Sequence, residues 1–177
     1  MTDYVISQLN STWNYLSQPQ KDLIQQGEYL KKVVVEDNKL QFDDYSFIIF
    51  PYAKAYEGFL KQLFVDMKFI THDEYVSDHL RIGKLLSPNL KEKLGDRSLF
   101  VKITKRSNVE IAEQMWETWK VGRNQIFHYF PHNIKAVSYR EADELSNRIL
   151  NTMHKAHQHL MLLKRLESHM NSKLLQF

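Results

Sequence analysis

Glycine and proline are scarce along this chain, with five glycines and four prolines among 177 residues. Because these two residues interrupt helices most strongly, their scarcity leaves long uninterrupted segments. Apolar residues in those segments recur every three or four positions, which is the period of an amphipathic helix. The sequence therefore predicts an all-α fold, a helical bundle of four to five main helices in a single domain.

Composition narrows the classes of protein to which the chain can belong. A hydrophobic fraction of 43% is enough to bury a core, and the absence of cysteine excludes disulfides, thiolate zinc sites and a cysteine nucleophile. The net charge of +3 permits a polyanionic partner without requiring one. No apolar run approaches the roughly 20 residues of a membrane span, and no secretory signal opens the chain. We therefore expect a cytoplasmic protein that does not enter membranes.

Capping boxes predict where four of the helices begin. In this motif a serine or threonine is followed three residues later by a glutamate or glutamine, and the two side chains bond to each other's backbone N–H groups. The four pairs are Ser17/Gln20, Thr71/Glu74, Ser107/Glu110 and Ser138/Glu141. Pro51, a favoured first-turn residue, predicts the start of the most apolar helix, and Pro131 predicts the end of another near Tyr129.

Two segments depart from the helical pattern. Val33–Val35 and Leu40–Phe42 flank a turn, and they predict either a short β-hairpin near residues 33–42 or a long loop. The stretch from Asp96 to Lys105 is expected to be a loop, with an extended piece at Leu99–Ile103.

The string from Arg123 to His128, near the end of the penultimate long helix, is the most distinctive motif. An arginine and a histidine in one short motif combine a group that binds anions with a group that transfers protons. Histidine titrates near neutrality and suits general acid–base catalysis, whereas arginine stays protonated and can hold two phosphoryl oxygens. Asn124 is placed to bind the phosphate or to orient its neighbours.

This motif resembles the R-x4–6-H motif of HEPN ribonucleases, which also lies in a helical bundle before a final long helix. Glu57 and Lys61 resemble the E-x3-K element of RnlA-type (RNase LS) toxins, as does the surrounding string from Phe50 to Lys61. The resemblance covers residues 45–165, and residues 1–44 are expected to form N-terminal helices and a connector.

The resemblance implies a metal-independent endoribonuclease that leaves 2′,3′-cyclic phosphate and 5′-hydroxyl ends and uses no cofactor. It implies a toxin or antiphage defence effector, with RNA as substrate and an antitoxin or regulatory protein as a partner. It also implies a homodimer in which two motifs face one cleft.

Five positions on a regular helix correspond to about 140° of rotation, so Arg123 and His128 do not share a face. Either the helix unwinds before Pro131, or the two groups converge across a dimer. The predicted site combines five catalytic residues with three RNA-binding residues. The catalytic set is Arg123, His128, Asn124, Glu57 and Lys61, and the RNA-binding set is Lys120, Tyr129 and Lys54.

Simpler interpretations stay open for each of these residues. Arg123 also suits a surface salt bridge, and Glu57 with Lys61 suits a stabilising i,i+4 helix pair. His154, His157 and His159 cluster on the last helix, but no carboxylate lies at ligand spacing, which favours solvated histidines over a metal site. The alternative function is a non-catalytic HEPN-like module that binds a protein or nucleic acid.

Overall fold

The computed structural model describes residues 10–37, 41–128, 131 and 134–174, without the side chains of Asn10 and of residues 162–174. These residues form nine α-helices: α1 Asn10–Tyr15, α2 Gln18–Glu36, α3 Ser46–Asp66, α4 His72–Val76, α5 Ile82–Leu86, α6 Lys91–Leu94, α7 Leu99–Arg106, α8 Val109–Trp119 and α9 Tyr139–Leu174. Short 3₁₀ turns at Pro88–Leu90 and Gly95–Arg97 flank α6, and a π-helix at Lys120–Asn124 follows α8. The described residues include no strand, and the predicted all-α class is confirmed.

The chain divides into two compact units. The first comprises residues 1–59 and 117–153, and the second comprises residues 60–116 and 154–177. By residue number, the first unit contains every predicted site residue except Lys61, which belongs to the second.

Three of the four predicted capping boxes are confirmed. The Ser17 N–H donates to Gln20 Oε1 at 3.1 Å, and Thr71 and Glu74 bond reciprocally. Both the hydroxyl and the N–H of Ser138 donate to Glu141, which lowers the pKa of that carboxyl. The fourth box is wrong by one residue, because Asn108 and not Ser107 caps α8 by accepting from the Ile111 N–H at 2.9 Å.

The most apolar helix, α3, starts earlier than Pro51 predicts. It begins at Ser46, whose N–H donates to Asp44 Oδ1 at 2.9 Å, and Pro51 lies inside it. Pro51 removes one backbone hydrogen bond of the helix without ending it. The side chains of Tyr52, Tyr56, Leu60 and Leu63 along α3 are buried, as is that of Met67 directly after the helix.

Both segments that were expected to leave the helical pattern are largely helical where they are described. Helix α2 runs through Val33–Val35 to Glu36, so the hairpin is wrong; residues 41–45 are a loop, and residues 38–40 lie outside the described residues. The expected loop at Asp96–Lys105, with its extended piece at Leu99–Ile103, is mostly helix α7, started by the Ser98 hydroxyl, which accepts from the Val101 N–H. In both places β-branched residues suggested extended backbone, a weak preference that packing overrides.

Two other helices are short. The helix that the Thr71/Glu74 box predicts is α4, which ends at Val76, and α5 follows after a break. At the N-terminus, α1 covers Asn10–Tyr15, and residues 1–9 lie outside the described residues.

A charged cluster joins α2, α3 and α9 inside the first unit. Lys31 Nζ lies 3.0 Å from Asp143 Oδ1, 3.7 Å from Glu28 Oε1 and 4.8 Å from the centre of the Tyr52 ring. The Tyr52 hydroxyl donates to Glu28 at 2.5 Å. We call Glu28, Lys31, Tyr52 and Asp143 the Lys31 cluster. Gly27 is needed beside it, because a Cβ there would lie 2.3 Å from the Tyr52 ring.

Candidate functional site

The backbone changes its winding where the motif begins. Helix α8 ends at Trp119, and residues Lys120–Asn124 form a π-helix closed by the Gln125 N–H, which donates to the Lys120 carbonyl at 3.0 Å. The prediction that the α-helix continues to about Tyr129 is therefore wrong. Single π-turns are rare and often occur at functional sites, since the wider turn redirects the side chains that follow. Arg123 lies in this turn.

The Arg123 guanidinium is held from two directions. Its Nε donates to Glu57 Oε2 at 3.2 Å, and its Cζ lies 4.9 Å from the centre of the Trp119 ring. Trp119 is itself buried, so the ring is a fixed surface for the cation. The two Nη groups form no hydrogen bond with the residues that the structure describes. One edge of the guanidinium is thus held by Glu57, and the arginine side chain is 39% exposed.

Glu57 reaches Arg123 from α3, across 66 residues of sequence. The two side chains are 31% and 39% exposed, respectively, so the ion pair lies at the surface and not in the core. The structure therefore brings together two of the five predicted catalytic residues. Sequence spacing within either helix contains no information about this contact.

Asn124 and His128 make fewer contacts than Arg123 with the rest of the described chain. After the π-helix the chain bends, with the Phe127 N–H donating to the Arg123 carbonyl at 3.1 Å. The helix thus unwinds before Pro131, which is the first of the two alternatives that the sequence left open. His128 is exposed and Asn124 is half-buried, and neither side chain makes a hydrogen bond to a described residue.

The remaining predicted residues differ in their surroundings. Lys120 Nζ lies 3.2 Å from both carboxylate oxygens of Glu117, and Lys54 is exposed on α3. Lys61 follows Glu57 by one helical turn and is half-buried in the second unit. Tyr129 lies outside the described residues.

Two exposed phenylalanines were missed by sequence reasoning. Phe50 is 53% exposed and Phe127 is 40% exposed, and their ring centres lie 5.6 Å apart in an edge-to-face arrangement. A signal existed for Phe50, because it precedes Glu57 by seven residues and so lies on the same face of α3. Phe127 directly precedes His128, whereas the aromatic residue in the predicted RNA-binding set is Tyr129.

The histidines of α9 differ from one another in burial. His159 is exposed as expected, His154 is half-buried and His157 is only 5% exposed, so the expectation of a solvated face is wrong for His157. Within the described part of the chain, no three His, Asp or Glu side chains are grouped closely enough to hold a metal ion.

The described residues define an all-α protein in which an ion pair anchors the arginine of an R-x4-H motif beside an exposed histidine. The sequence model of one protein family, described as "RNase LS, bacterial toxin DBD domain", matches residues 2–130. That match includes the whole motif and more than half of the chain, and the chain belongs to this family. No curated protein and no solved structure matches the chain. Among the described residues, no helix is long and apolar enough to cross a membrane.

Proposed function

We propose that this chain is a metal-independent endoribonuclease of the HEPN type that acts as a toxin. The observation that carries the proposal is the Arg123–Glu57 ion pair, which anchors the motif arginine while 39% of its side chain stays exposed. An arginine fixed in this way is preorganised for a phosphate that gains charge in the transition state. Membership of a family described by a bacterial toxin, RNase LS, supports the same conclusion.

Each motif residue has a chemical role in this proposal. The 2′-hydroxyl of the RNA loses its proton and attacks the adjacent phosphorus, and the P–O5′ bond breaks as the 5′-oxygen gains a proton. His128 takes the first proton or supplies the second, and the products are a 2′,3′-cyclic phosphate and a 5′-hydroxyl. Arg123 stabilises the phosphoryl oxygens and Glu57 positions Arg123. Asn124 binds the phosphate, and Lys61 contributes through the E-x3-K element. Lys120, Lys54 and Tyr129 bind the RNA backbone or bases beyond the cleaved bond.

The active unit in this proposal is a cytoplasmic homodimer of single helical domains, with an antitoxin or regulatory protein as a further partner. His128 is exposed and its side chain makes no hydrogen bond to a described residue, whereas a catalytic base is normally oriented by a second group. A two-fold axis beside the motif would place a second copy near it, and that copy could supply the orienting group.

The decisive experiment is an RNA-cleavage assay of the wild type beside Arg123→Ala and His128→Ala. Each substitution removes a group that acts in the transition state, so we expect cleavage to fall by about 100-fold or more. Circular dichroism should show an unchanged fold, because both side chains lie at the surface. Full activity in a folded double variant would refute the assignment.

Two additions to this assay test the finer parts of the proposal. Cleavage should persist in EDTA, and loss of activity that a divalent ion restores would contradict the metal-free mechanism. Mixing Arg123→Ala with His128→Ala protomers should restore part of the activity if the two subunits share the cleft. A chain that stays monomeric in analytical ultracentrifugation while cleaving at full rate would exclude the dimer.

A second candidate function is a non-catalytic module that binds a protein or nucleic acid. The lack of any hydrogen bond from His128 to a described residue favours it, since binding alone needs no oriented base. This candidate predicts RNA or protein binding without cleavage, and His128→Ala would then leave binding unchanged.

A further inference from the structure

Phe50 and Phe127 enclose a shallow apolar pocket at the surface of the first unit. The pocket is lined by both rings together with Ser46 and Phe47. Two large rings exposed side by side lose the benefit of burial, so such a patch commonly marks a binding site. The Ser46 side chain adds a hydroxyl group at the rim of the pocket.

This pocket is aligned with the Arg123–Glu57 ion pair. Along the motif, Arg123 contacts Glu57 and Phe127 contacts Phe50, so the segment runs antiparallel to α3. Phe50 and Glu57 are seven residues apart, which is about 10 Å along a helix that rises 1.5 Å per residue. This length equals about three nucleotides of a stacked strand at 3.4 Å each, and fewer of an extended one.

A positive charge lies between the two contacts. Lys54 follows Phe50 by four residues and precedes Glu57 by three, so it shares their face of α3, and it is exposed. From one end to the other, this face presents paired phenyl rings, an ammonium group and the anchored guanidinium. Single-stranded nucleic acid presents the matching sequence of groups, with bases that stack and phosphates that pair with cations.

We propose that the Phe50–Phe127 pocket takes an unpaired RNA base and sets which phosphate reaches Arg123. This inference rests on the proposed function and extends it to a substrate class, single-stranded RNA. Base stacking on exposed aromatic side chains tolerates every base, whereas a base inside a duplex has no free face to offer. The pocket therefore selects unpaired regions of RNA without reading their sequence.

A second copy of the chain is the competing occupant, and charge disfavours it. Lys54 is exposed one helical turn after Phe50, and together with the Arg123–Glu57 pair it gives this face a net positive charge. Like charges brought together across a two-fold contact repel, whereas a polyanion is attracted. In the proposed dimer the two pockets therefore border the RNA cleft and do not close onto each other.

Binding is tested with a 2′-O-methyl RNA, which lacks the nucleophile and so stays intact. We expect Phe50→Ala and Phe127→Ala each to weaken single-strand binding by about 10-fold, or about 1.4 kcal/mol. Phe50→Trp should retain the affinity, because a larger ring preserves stacking. Tyr29→Ala is the matched control, since Tyr29 is an exposed aromatic residue on α2 outside the pocket, and it should bind like the wild type.

Cross-linking locates the base directly. A 5-iodouracil placed along the same oligonucleotide should cross-link on irradiation to Phe50 or Phe127, as mapped by mass spectrometry, and a duplex of the same sequence should not. Affinities of Phe50→Ala within two-fold of the wild type, or cross-links only at other residues, would overturn the proposal. So would a shift from dimer to monomer in Phe50→Ala without loss of RNA affinity, because the patch would then be a contact between copies.

The two proposals fail separately. If Arg123→Ala abolishes cleavage while Phe50→Ala binds and cleaves normally, only the base pocket is wrong. If the wild type binds the oligonucleotide through Phe50 but never cleaves RNA, the ribonuclease is wrong and the pocket stands.

Discussion

Two ion pairs in the first unit each combine a cation, an aromatic ring and a carboxylate from another helix, but they differ in exposure. In the Lys31 cluster a lysine lies 4.8 Å from the Tyr52 ring and 3.0 Å from Asp143. At the candidate site an arginine lies 4.9 Å from the Trp119 ring and 3.2 Å from Glu57. Each pair fixes a cation between an aromatic face and a carboxylate on another helix.

The two cations differ in their exposure and in the number of their partners, and so in how readily each can bind a ligand. Lys31 is 8% exposed and its ammonium group is shared between two carboxylates and a ring. Arg123 keeps more than a third of its side chain exposed and has one carboxylate partner among the described residues. A cation whose surroundings are complete stabilises the fold, whereas one held on a single edge can bind an anion.

The largest expected effect is on stability, from Lys31→Ala. Removing one partner of a buried pair leaves the other charges uncompensated, and the partial exposure of Asp143 moderates the cost to about 2–3 kcal/mol of unfolding free energy. Urea denaturation measures it. Lys32→Ala is the control, because Lys32 pairs with Glu36 in the open and should cost about 0.5 kcal/mol or less. Equal losses in the two variants would show that the Lys31 cluster contributes nothing beyond a surface pair.

The next effect is on activity, from Glu57→Gln. The amide keeps the shape but loses the charge that anchors Arg123, so we expect cleavage to fall by about 10- to 100-fold. The unfolding free energy should change by about 1 kcal/mol or less, because both partners are partly exposed. Glu144→Gln, which breaks the exposed pair with Arg140, should change neither quantity. A large stability loss with normal cleavage would make the pair structural.

Alkaline pH should lower the stability of the folded protein because of its buried tyrosines. Burial, and then the hydrogen bond to Glu28, raise the pKa of Tyr52 above its usual value, and burial raises the pKa of Tyr56. Above about pH 10 the unfolded chain loses phenolic protons that the folded chain keeps. Stability is therefore intact below pH 10 and falls above it by about 1.4 kcal/mol per pH unit for each such phenol.

Absorbance at 295 nm follows phenolate formation and checks this prediction. Two phenols should ionise only as the chain unfolds, and Tyr52→Phe should remove one of them. Ionisation of all tyrosines near pH 10 in the folded protein would contradict it.

The smallest effect is expected from Lys120→Ala. Its ion pair with Glu117 is more than 40% exposed on both sides, so the stability cost is about 0.5 kcal/mol or less. RNA affinity should weaken a few-fold for every sequence, and the slope of log K against log salt should shrink by about one charge. An unchanged salt slope would remove Lys120 from the RNA-binding surface. Lys32→Ala again provides the control.

The helical fold was largely predictable because its signals are local. Three capping boxes and the buried stripe of α3 depend on residues within a few positions of each other, and the structure confirms them. The errors arose where a local preference was weak. Val33–Val35 favour extended backbone only slightly, and Pro51 prevents a helix only beyond its first turns.

The candidate site was predictable as a set of residue types but not as a geometry. The pairing of Glu57 with Arg123 depends on how two distant segments pack, and a single sequence contains no signal for it. The π-turn is equally unpredictable from the sequence. Trp119 and Gly122 fit a helical period whether each N–H bonds to the fourth or to the fifth preceding carbonyl. Phe50 and Phe127 were predictable only as apolar residues, and their exposure follows from the tertiary structure.

The π-turn at Lys120–Asn124 also bears on how the motif tolerates changes in length. A turn closed at the fifth following residue contains one residue more than an α-turn, and the helix before it keeps its register. Deleting one residue here would convert the turn into ordinary α-helix and leave Trp119 in place. The residues after the turn would keep about the same orientation, because the residue removed is the one by which a π-turn exceeds an α-turn. The extra residue of the π-turn therefore allows the spacing of a short motif to change by one residue while the helix that carries the motif keeps its packing.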